Sequence, residues 1–439
     1  MSKKPLNQSQ QWTKYPLKRL GEVGVKLYDC DHRTPKPTKF GYPYIAIPQI
    51  QQGRLDLSEV RRISKDDYES WIQRNKPQAG DIIVTRRARV GDTAVIPPGL
   101  ECAIGQNLVI LRSDGTQVDQ SFLRWALRGP FYEQEMSKFL NVGAVFDSLN
   151  CGDIPKFELP IPPLPIQRRI AHILSSLDEK IDLNRNINKK LDTMARILFQ
   201  SWFADFDPVW AKMEGRLPEG MNAATAALFP SEFENIGGIE LPKGWKISTI
   251  GESVTVQGGS TPSTSNPEYW DNGVINFATP KDLASLNSPV LLSTEKKITT
   301  KGVEQISSRI LPIGTVLLSS RAPIGYIAIT ALPVAINQGF IAIICNKFLP
   351  SYYVINWLES NLQSIIGRAN GTTFLEISKS NFKPMNLVIP SENVLNKYTL
   401  IVAPIYQKII NNEKESCRLA LIRDSLLPKL MSGEIPVKM

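Results

Sequence analysis

From Pro165 to Phe203 the chain reads PIQRRIAHILSSLDEKIDLNRNINKKLDTMARILFQSWF. Counted from Ile170, apolar or small residues and two asparagines fall at Leu174, Leu177, Ile181, Asn184, Asn188, Leu191, Ala195, Leu198 and Trp202, in alternating steps of four and three. That spacing is a heptad seam and predicts one continuous helix. Glycine is absent from the run, its only proline is the opening Pro165, and Pro208 follows just beyond its end, so the start and stop signals agree with the periodicity. Such a helix is roughly 55 Å long. Its apolar stripe needs a partner.

The partner is legible further down the chain. Placing Gly143 on Gly371 sets an offset of 228 residues (371 − 143). Without a gap, Phe146 then meets Phe374, Leu159 meets Leu387, Pro162 meets Pro390, Ile181 meets Ile409, Asn184 meets Asn412 and Leu198 meets Leu426. The seam recurs as Tyr398, Val402, Ile405, Ile409, Asn412, Ser416, Leu419, Arg423, Leu426 and Leu430, in a second helical segment from Asn396 to Met431. Upstream the offset drifts, but GDIIVTRRARVGDTAV at Gly80–Val95 still matches GTVLLSSRAPIGYIAI at Gly314–Ile329, and AIGQN at Ala103 matches AINQG at Ala335. One ungapped offset across a loop and a whole helix marks an internal duplication.

The predicted organisation is α+β: a mixed domain over 12–160, a spacer helix over 161–203, a connector over 204–243 with little regular structure, a second mixed domain over 244–390, and a second spacer helix over 391–439. In the first domain, strands are expected near Gly41–Ile50, Gly80–Thr85 and Asn107–Leu111. Helical patches are expected near Asp66–Arg74 and Ser121–Lys138, the latter interrupted at Gly129 and Pro130. If the two long helices pair as a coiled coil through their seams, they run antiparallel and relate the two mixed domains by a pseudo-twofold axis. Two similar modules held apart suit a target with two separated half-sites, and duplex DNA is such a target.

Charge agrees with a polyanionic partner. Lys and Arg number 51 against 42 Asp and Glu, a net charge of +9. The five cysteines are scattered without a C-x-x-C pair, which speaks against a disulfide framework or zinc site. The N-terminus MSKKPLNQSQQ lacks a signal-peptide core, and the most apolar stretch, Gly314–Ile344, is broken by Arg321, Pro323 and Pro333. A cytoplasmic chain with no membrane span is expected.

The run LPIPPLPIQRRIAHILSSLDEKIDLNRNINKKL, with ARILFQSWFADFDPV, EGRLPEGM and ALFPSEFE after it, closely resembles the central conserved region of type I restriction-modification specificity subunits. GGSTPSTSNPEYWDNGVINFATPKDL, SSRAPIG and LIRDSLLPKLMSGEI in the second half resemble the same family. The likeness is looser over Met1–Ser121, where DCDHRTP, GYPYI and TRRARVGD fit. The resemblance implies a non-catalytic subunit of a host-defence complex, in which two target-recognition domains each read half of a split DNA sequence. It also implies two modification subunits carrying adenine methyltransferase chemistry with S-adenosylmethionine, and restriction subunits adding ATP- and Mg-dependent translocation and cleavage. A coiled-coil scaffold that does not read DNA is the alternative from another class.

Motifs for chemistry within this chain are missing. NPEY at Asn266–Tyr269 is similar to the N-P-P-Y methylation motif, but Glu268 breaks the Pro-Pro that fixes the loop, and a turn with packed Tyr269 and Trp270 suits it better. There is no G-x-x-x-x-G-K-[ST] loop, and His32 and His172 are too few for a histidine-rich metal cluster. For DNA contact the candidates are Arg86, Arg87, Arg89 and the repeat mate Arg321, since arginine clamps phosphate or reads guanine bidentately. The recurrence of Arg87 as Arg321 fits equally a shared structural bond. Arg86 and Arg89 have no basic counterpart. Lys36, Lys39, Thr261, Lys281, Thr372 and Thr373 are secondary candidates, with solvated lysines and capping threonines as the plainer reading.

Overall fold

The computed structural model describes residues 13–437 except 32, 52, 144–145 and 372–374. Candidates Thr372 and Thr373, together with His32, lie outside the described residues. The chain divides into two compact units, one of residues 1–180 and 418–439, the other of residues 181–417.

In the first unit, a four-stranded antiparallel sheet has the order Val25–Asp29, Leu108–Ser113, Ile82–Thr85, Thr93–Val95. A second sheet sets Tyr42–Ile45 between Arg62–Ile63 and Ala103–Ile104, the latter in parallel. The Ile82–Thr85 strand is apolar and fully buried, packing Ile82 and Val84 on one face and Ile83 on the other. Helix Lys65–Ile72 starts on Ser64, whose side chain accepts from the Asp67 amide at 3.1 Å. The predicted patch 121–138 is two helices, Gln120–Ala126 and Pro130–Lys138. Gly129, at φ 94°, breaks them in a conformation that an L side chain rarely adopts.

The second unit repeats this connectivity. Its larger sheet runs Thr255–Gly258, Phe340–Ile344, Val316–Ser320, Ile324–Thr330, with Val290–Leu291 added at the edge. Its smaller sheet sets Ile275–Ala278 between Lys296–Ile298 and Val334–Ile336, the latter again in parallel. The duplication inferred from offsets is thus matched in the strand order of both sheets, apart from the added edge strand Val290–Leu291. The connector holds more regular structure than expected: helices Asp207–Met213 and Ala223–Ala226 and a hairpin of Phe233–Ile236 with Ile239–Pro242. Its turn residues mark element ends, and its apolar anchors are part of a core. Phe229 lies edge-on to Trp202 at 4.9 Å, and Phe206 packs on Trp245, just past the connector, at 5.8 Å.

The long helices span Leu164–Phe203 and Glu392–Ser432. Each unit holds a stretch of both, and in each the stretches run antiparallel. In the first unit Ile170 and Leu174 share a core with Leu427 and Leu430, while Asp178 meets Arg423. In the second, Ile181, Ala195 and Phe199 lie buried with Ile409, Val402 and Tyr398. There the seam asparagines form a polar layer: Asn184 Nδ2 donates to Glu415 at 2.8 Å, Asn188 Nδ2 to Glu413 at 2.8 Å, and Asn412 Nδ2 to Asn188 at 2.8 Å. Apolar residues would pack more stably; this layer, bonded partly to glutamates and leaving Asn184 Oδ1 without a partner, gives up stability for a single register.

Six predicted seam residues, Leu177, Leu191, Leu198, Ile405, Leu419 and Leu426, are only half-buried. Their neighbours Asp178, Asp192, Phe199, Tyr406 and Leu427 take fully buried places. A strict 3.5-residue repeat places the stripe too narrowly, because an α-helix turns every 3.6 residues and each helix also buries a flank against a mixed domain.

Candidate nucleic-acid interface

In the first unit three loops converge. The hairpin loop after Ile82–Thr85 carries Ala88 at φ 61° and Gly91 at φ 85°, and the Gly91 amide donates to Thr85 O at 2.9 Å. The Arg86 amide donates to Asn107 O at 2.8 Å, which ties this loop to the loop at 105–107, and Gly105 N donates to Ile45 O at 2.7 Å. Gln106 then reaches the Thr-Pro loop through Nε2 to Thr34 Oγ1 at 2.7 Å.

The second unit rebuilds the same frame from different residues. Ser320 N donates to Gly339 O at 2.8 Å and Asn337 N to Ala278 O at 3.1 Å. Thr261 Oγ1 donates to Gln338 Oε1 at 2.5 Å. Ala322 and Gly325 have φ 51° and 115°, as Ala88 and Gly91 do. Bridges Arg87 to Ser148 and Arg321 to Glu376 also recur, at the helix offset of 228 (376 − 148). Arg87 and Arg321 thus hold the same backbone place in the duplicated loop. Their side chains remain available: Arg87 is exposed and makes no side-chain hydrogen bond or ion pair among the described residues, and Arg321, 38% exposed, approaches Glu376 at 3.7 Å.

Arg86 is a correction. Its side chain is only 12% exposed, turned inward with Nη2 3.8 Å from Asp29 and Nη1 donating to Leu149 O at 3.4 Å. As the first residue beyond a fully buried strand, it keeps that strand's inward alternation, and it holds the loop rather than facing a ligand. Arg89 is half-exposed but tethered, its Nη2 donating to the carbonyls of Ile47 and, at 2.6 Å, Ile50, with Asp92 3.4 Å from Nε. Lys36 and Lys39 are exposed, the Lys39 ammonium lying 5.5 Å from the ring of Phe40, itself 77% exposed. Lys281 pairs with Glu295 at 2.8 Å on the surface, an arrangement of small net energy. Thr261 is committed to Gln338. The matching Thr34–Gln106 and Thr261–Gln338 pairs were not legible in sequence as contacts, although AIGQN and AINQG place their glutamines at corresponding points.

The surface built this way offers guanidinium and ammonium groups, amides and an exposed aromatic ring, the set that clamps phosphate and reads base edges. The NPEY segment is a short turn: Asn266 accepts from the Glu268 amide at 3.1 Å, and Trp270 lies edge-on to Phe277 at 5.1 Å. Among the described residues no group of three or more His, Cys, Asp or Glu is placed to hold a metal ion, and no helix is long and apolar enough to cross a membrane.

A family profile described as the type I restriction modification DNA specificity domain matches residues 10–193 and 242–415. The chain is 28% identical over 333 residues to the type I restriction enzyme HindI specificity subunit of Haemophilus influenzae, covering 66% of this chain and 72% of that one. It is 26% identical over 449 residues to the MjaIX specificity subunit of Methanocaldococcus jannaschii, covering 98% and 94%. In fold it is similar to the crystal structure of a type I restriction-modification S subunit from M. genitalium, with TM-score 0.54, 17% identity and 98% of each chain covered.

Proposed function

The chain belongs to the type I restriction modification DNA specificity family, and from that premise we propose that it reads both halves of a split double-stranded DNA target, one with each mixed domain. The observation that carries this reading is the three-loop frame built twice, with the same backbone bonds and different side chains facing outward. A shared frame conserves the docking geometry; unlike side chains give unlike base preferences. Methylation and cleavage then belong to partners: modification subunits using S-adenosylmethionine, and restriction subunits using ATP and Mg, all in the cytoplasm. Exposed apolar residues on the long helices suit the modification subunits. These are Met194 and Ile197 at 57% and 63% in one unit, and Leu421 and Ile422 at 71% and 47% in the other. Met194 and Ile422 are repeat mates at the offset of 228 (422 − 194). Ile197 and Leu421 meet Ser425 and Thr193 at that offset, so it is the Met194–Ile422 position that supports a surface used twice.

Mapping methylated adenines in the source genome with the gene present and deleted tests the function. A split motif should vanish with the gene; an unchanged methylation map would leave the scaffold alternative standing. Arg87→Ala is expected to weaken the half-site read by the first domain about tenfold in a filter-binding titration, and Arg321→Ala the other half-site, each sparing its counterpart. Equal loss on both halves would contradict modular reading. The helices between the domains are proposed as the spacer. One heptad inserted in each should lengthen the gap between half-sites without altering either half, as read by selection from a randomised DNA pool. At about 1.5 Å per helical residue and 3.4 Å per base pair, the gain expected is roughly three base pairs.

A further inference from the structure

The duplication extends to a place outside the three-loop frame. In each unit a short strand edges the small sheet, with Tyr42 opposite Ile63 in one and Ile275 opposite Ile298 in the other. Ile63 and Ile298 are buried, and a helix cap follows each: Ser64 accepts from the Asp67 amide and Thr299 from the Gly302 amide, both at 3.1 Å. From these anchors an offset of 235 (298 − 63) lays EVRRIS at 59–64 on TEKKIT at 294–299. Arg61 and Arg62 therefore stand where Lys296 and Lys297 stand, and all four are exposed.

Arg61 lies beside the loop frame. It lines a cleft of about 400 Å³ with Tyr44, Gln49, Thr34 and Gln106, the last two being the pair that ties the Thr-Pro loop to the loop at 105–107. Its guanidinium makes no hydrogen bond or ion pair among the described residues, and Glu59 on the same wall makes no ion pair there either. In the second unit the Lys296 ammonium lies 5.9 Å from the ring of Trp270. That indole N–H donates at 3.0 Å to Ser263 O, two residues beyond Thr261. The acid next to Lys296, Glu295, is already held by Lys281. Arg62 is turned back instead, its Nη1 donating to Gly41 O at 2.8 Å.

An exposed cation that no carboxylate answers adds little to the fold, yet one stands at this place in both modules. What recurs is the charge and not the head group, a guanidinium in one and an ammonium in the other. The two are not interchangeable where a planar fork must meet a base edge, whereas a phosphate accepts either. Modules with unlike base preferences share only the sugar-phosphate backbone as a target. We propose that Arg61 and Lys296 are equivalent phosphate clamps, each gripping the DNA backbone beside its own half-site. The clamps rest on the split-target reading and supply its register, since phosphate contacts fix orientation on the duplex and carry no sequence information. Charge on an edge strand also deters strand-to-strand association, a role that needs no DNA and gives a different result in the test.

Arg61→Gln and Lys296→Gln, each in the full-length chain, are titrated by fluorescence anisotropy at several potassium chloride concentrations. One duplex carries the split motif selected from a randomised pool, and the other is scrambled. Each variant should bind both duplexes about five- to tenfold more weakly at roughly 0.1 M salt, and its slope of log affinity against log salt should be smaller by about one. Each should still select the native motif in both halves. Arg61→Lys and Lys296→Arg, which keep the charge, should bind within about twofold of the native chain. A native salt slope in either glutamine variant overturns the clamp, and self-association of that variant would assign the charge to guarding the edge. A changed base preference overturns it too, because the residue would then be reading sequence. If the native chain selects no split motif, the half-site reading falls, while the slopes on the scrambled duplex still decide the clamp. Failure of the native chain to bind any duplex overturns both.

Discussion

Replacing Asp178 with alanine is expected to destabilise the first unit by about 3–5 kcal/mol while leaving the second near its native protection. The carboxylate is 1% exposed. It receives Arg423 at 2.5 Å from the second long helix, Arg54 at 2.9 Å from the first sheet region, and Arg124 from the domain's edge helix. Burial pushes the Asp178 carboxyl up, but Arg54, Arg124 and Arg423 together pull it below the usual carboxylate range. Without it, three guanidiniums 10–22% exposed face one another with Arg128 alongside. Asp178→Asn keeps shape and some hydrogen bonding and should fall between native and alanine. Because two units need not unfold together, the measurement is hydrogen exchange resolved by segment, with Gln120–Ala126 and Ser351–Ser360 as the two readouts. Equal loss of protection in both, or none in the first, would show that Asp178 does not anchor its unit. Linkage gives a second signature: a depressed acid contributes stability above its unfolded pKa that is lost as pH falls through the folded one, so the native first unit should weaken only under acid.

Asp178 also shows why part of the molecule was legible in its sequence and part was not. The long helices, their seam asparagines and the duplication follow from local periodicity and a fixed offset, which a single chain displays directly. Asp178 stands one place from Leu177, which the heptad count takes as the seam residue; only the arginines folded against it, from residues 54, 124 and 423, explain its burial. The same reason hid Arg86. A basic residue in a TRRAR loop has the composition of a DNA contact, but Asp29 and Leu149 O are brought to it by tertiary pairing, and no local pattern announces them. The Thr34–Gln106 and Thr261–Gln338 pairs join loops more than 70 residues apart. Their recurrence was visible as an echo, their contact only in the fold. The connector's turn residues suggested irregular chain, whereas Phe206 and Phe229 draw it into an aromatic core that includes Trp202, Phe203 and Trp245.

The second unit should respond to pH with the opposite sign. Burial pushes Glu359 up to about 7; Arg196 pulls it down and Asp192 pushes it up again. Arg196 is held above its usual value by Glu359 and Asp192 despite its burial, so the cation is satisfied while its two acids compete for it. Tyr406 and Tyr398, pushed well up by burial, stay neutral throughout. An acid whose folded pKa is raised binds its proton more tightly in the folded state, so its contribution is complete below the unfolded carboxylate range and is lost as pH rises through about 7. The loss should amount to about 2–3 kcal/mol between pH 4.5 and pH 8, discounted from the full shift because the acids titrate as a coupled pair. Glu359→Gln keeps a neutral acceptor beside Arg196 and removes the titrating group. It should leave protection of Ser351–Ser360 nearly unchanged at pH 5, raise it at pH 8, and flatten the slope between. Asp192 then has Arg196 to itself, but burial still holds its carboxyl above the usual range, so a smaller slope of the same sign remains. If the glutamine variant kept the native pH dependence, the proton would reside elsewhere in the unit; if it lost protection at pH 8, the Glu359–Arg196 attraction would outweigh the burial of the second carboxylate.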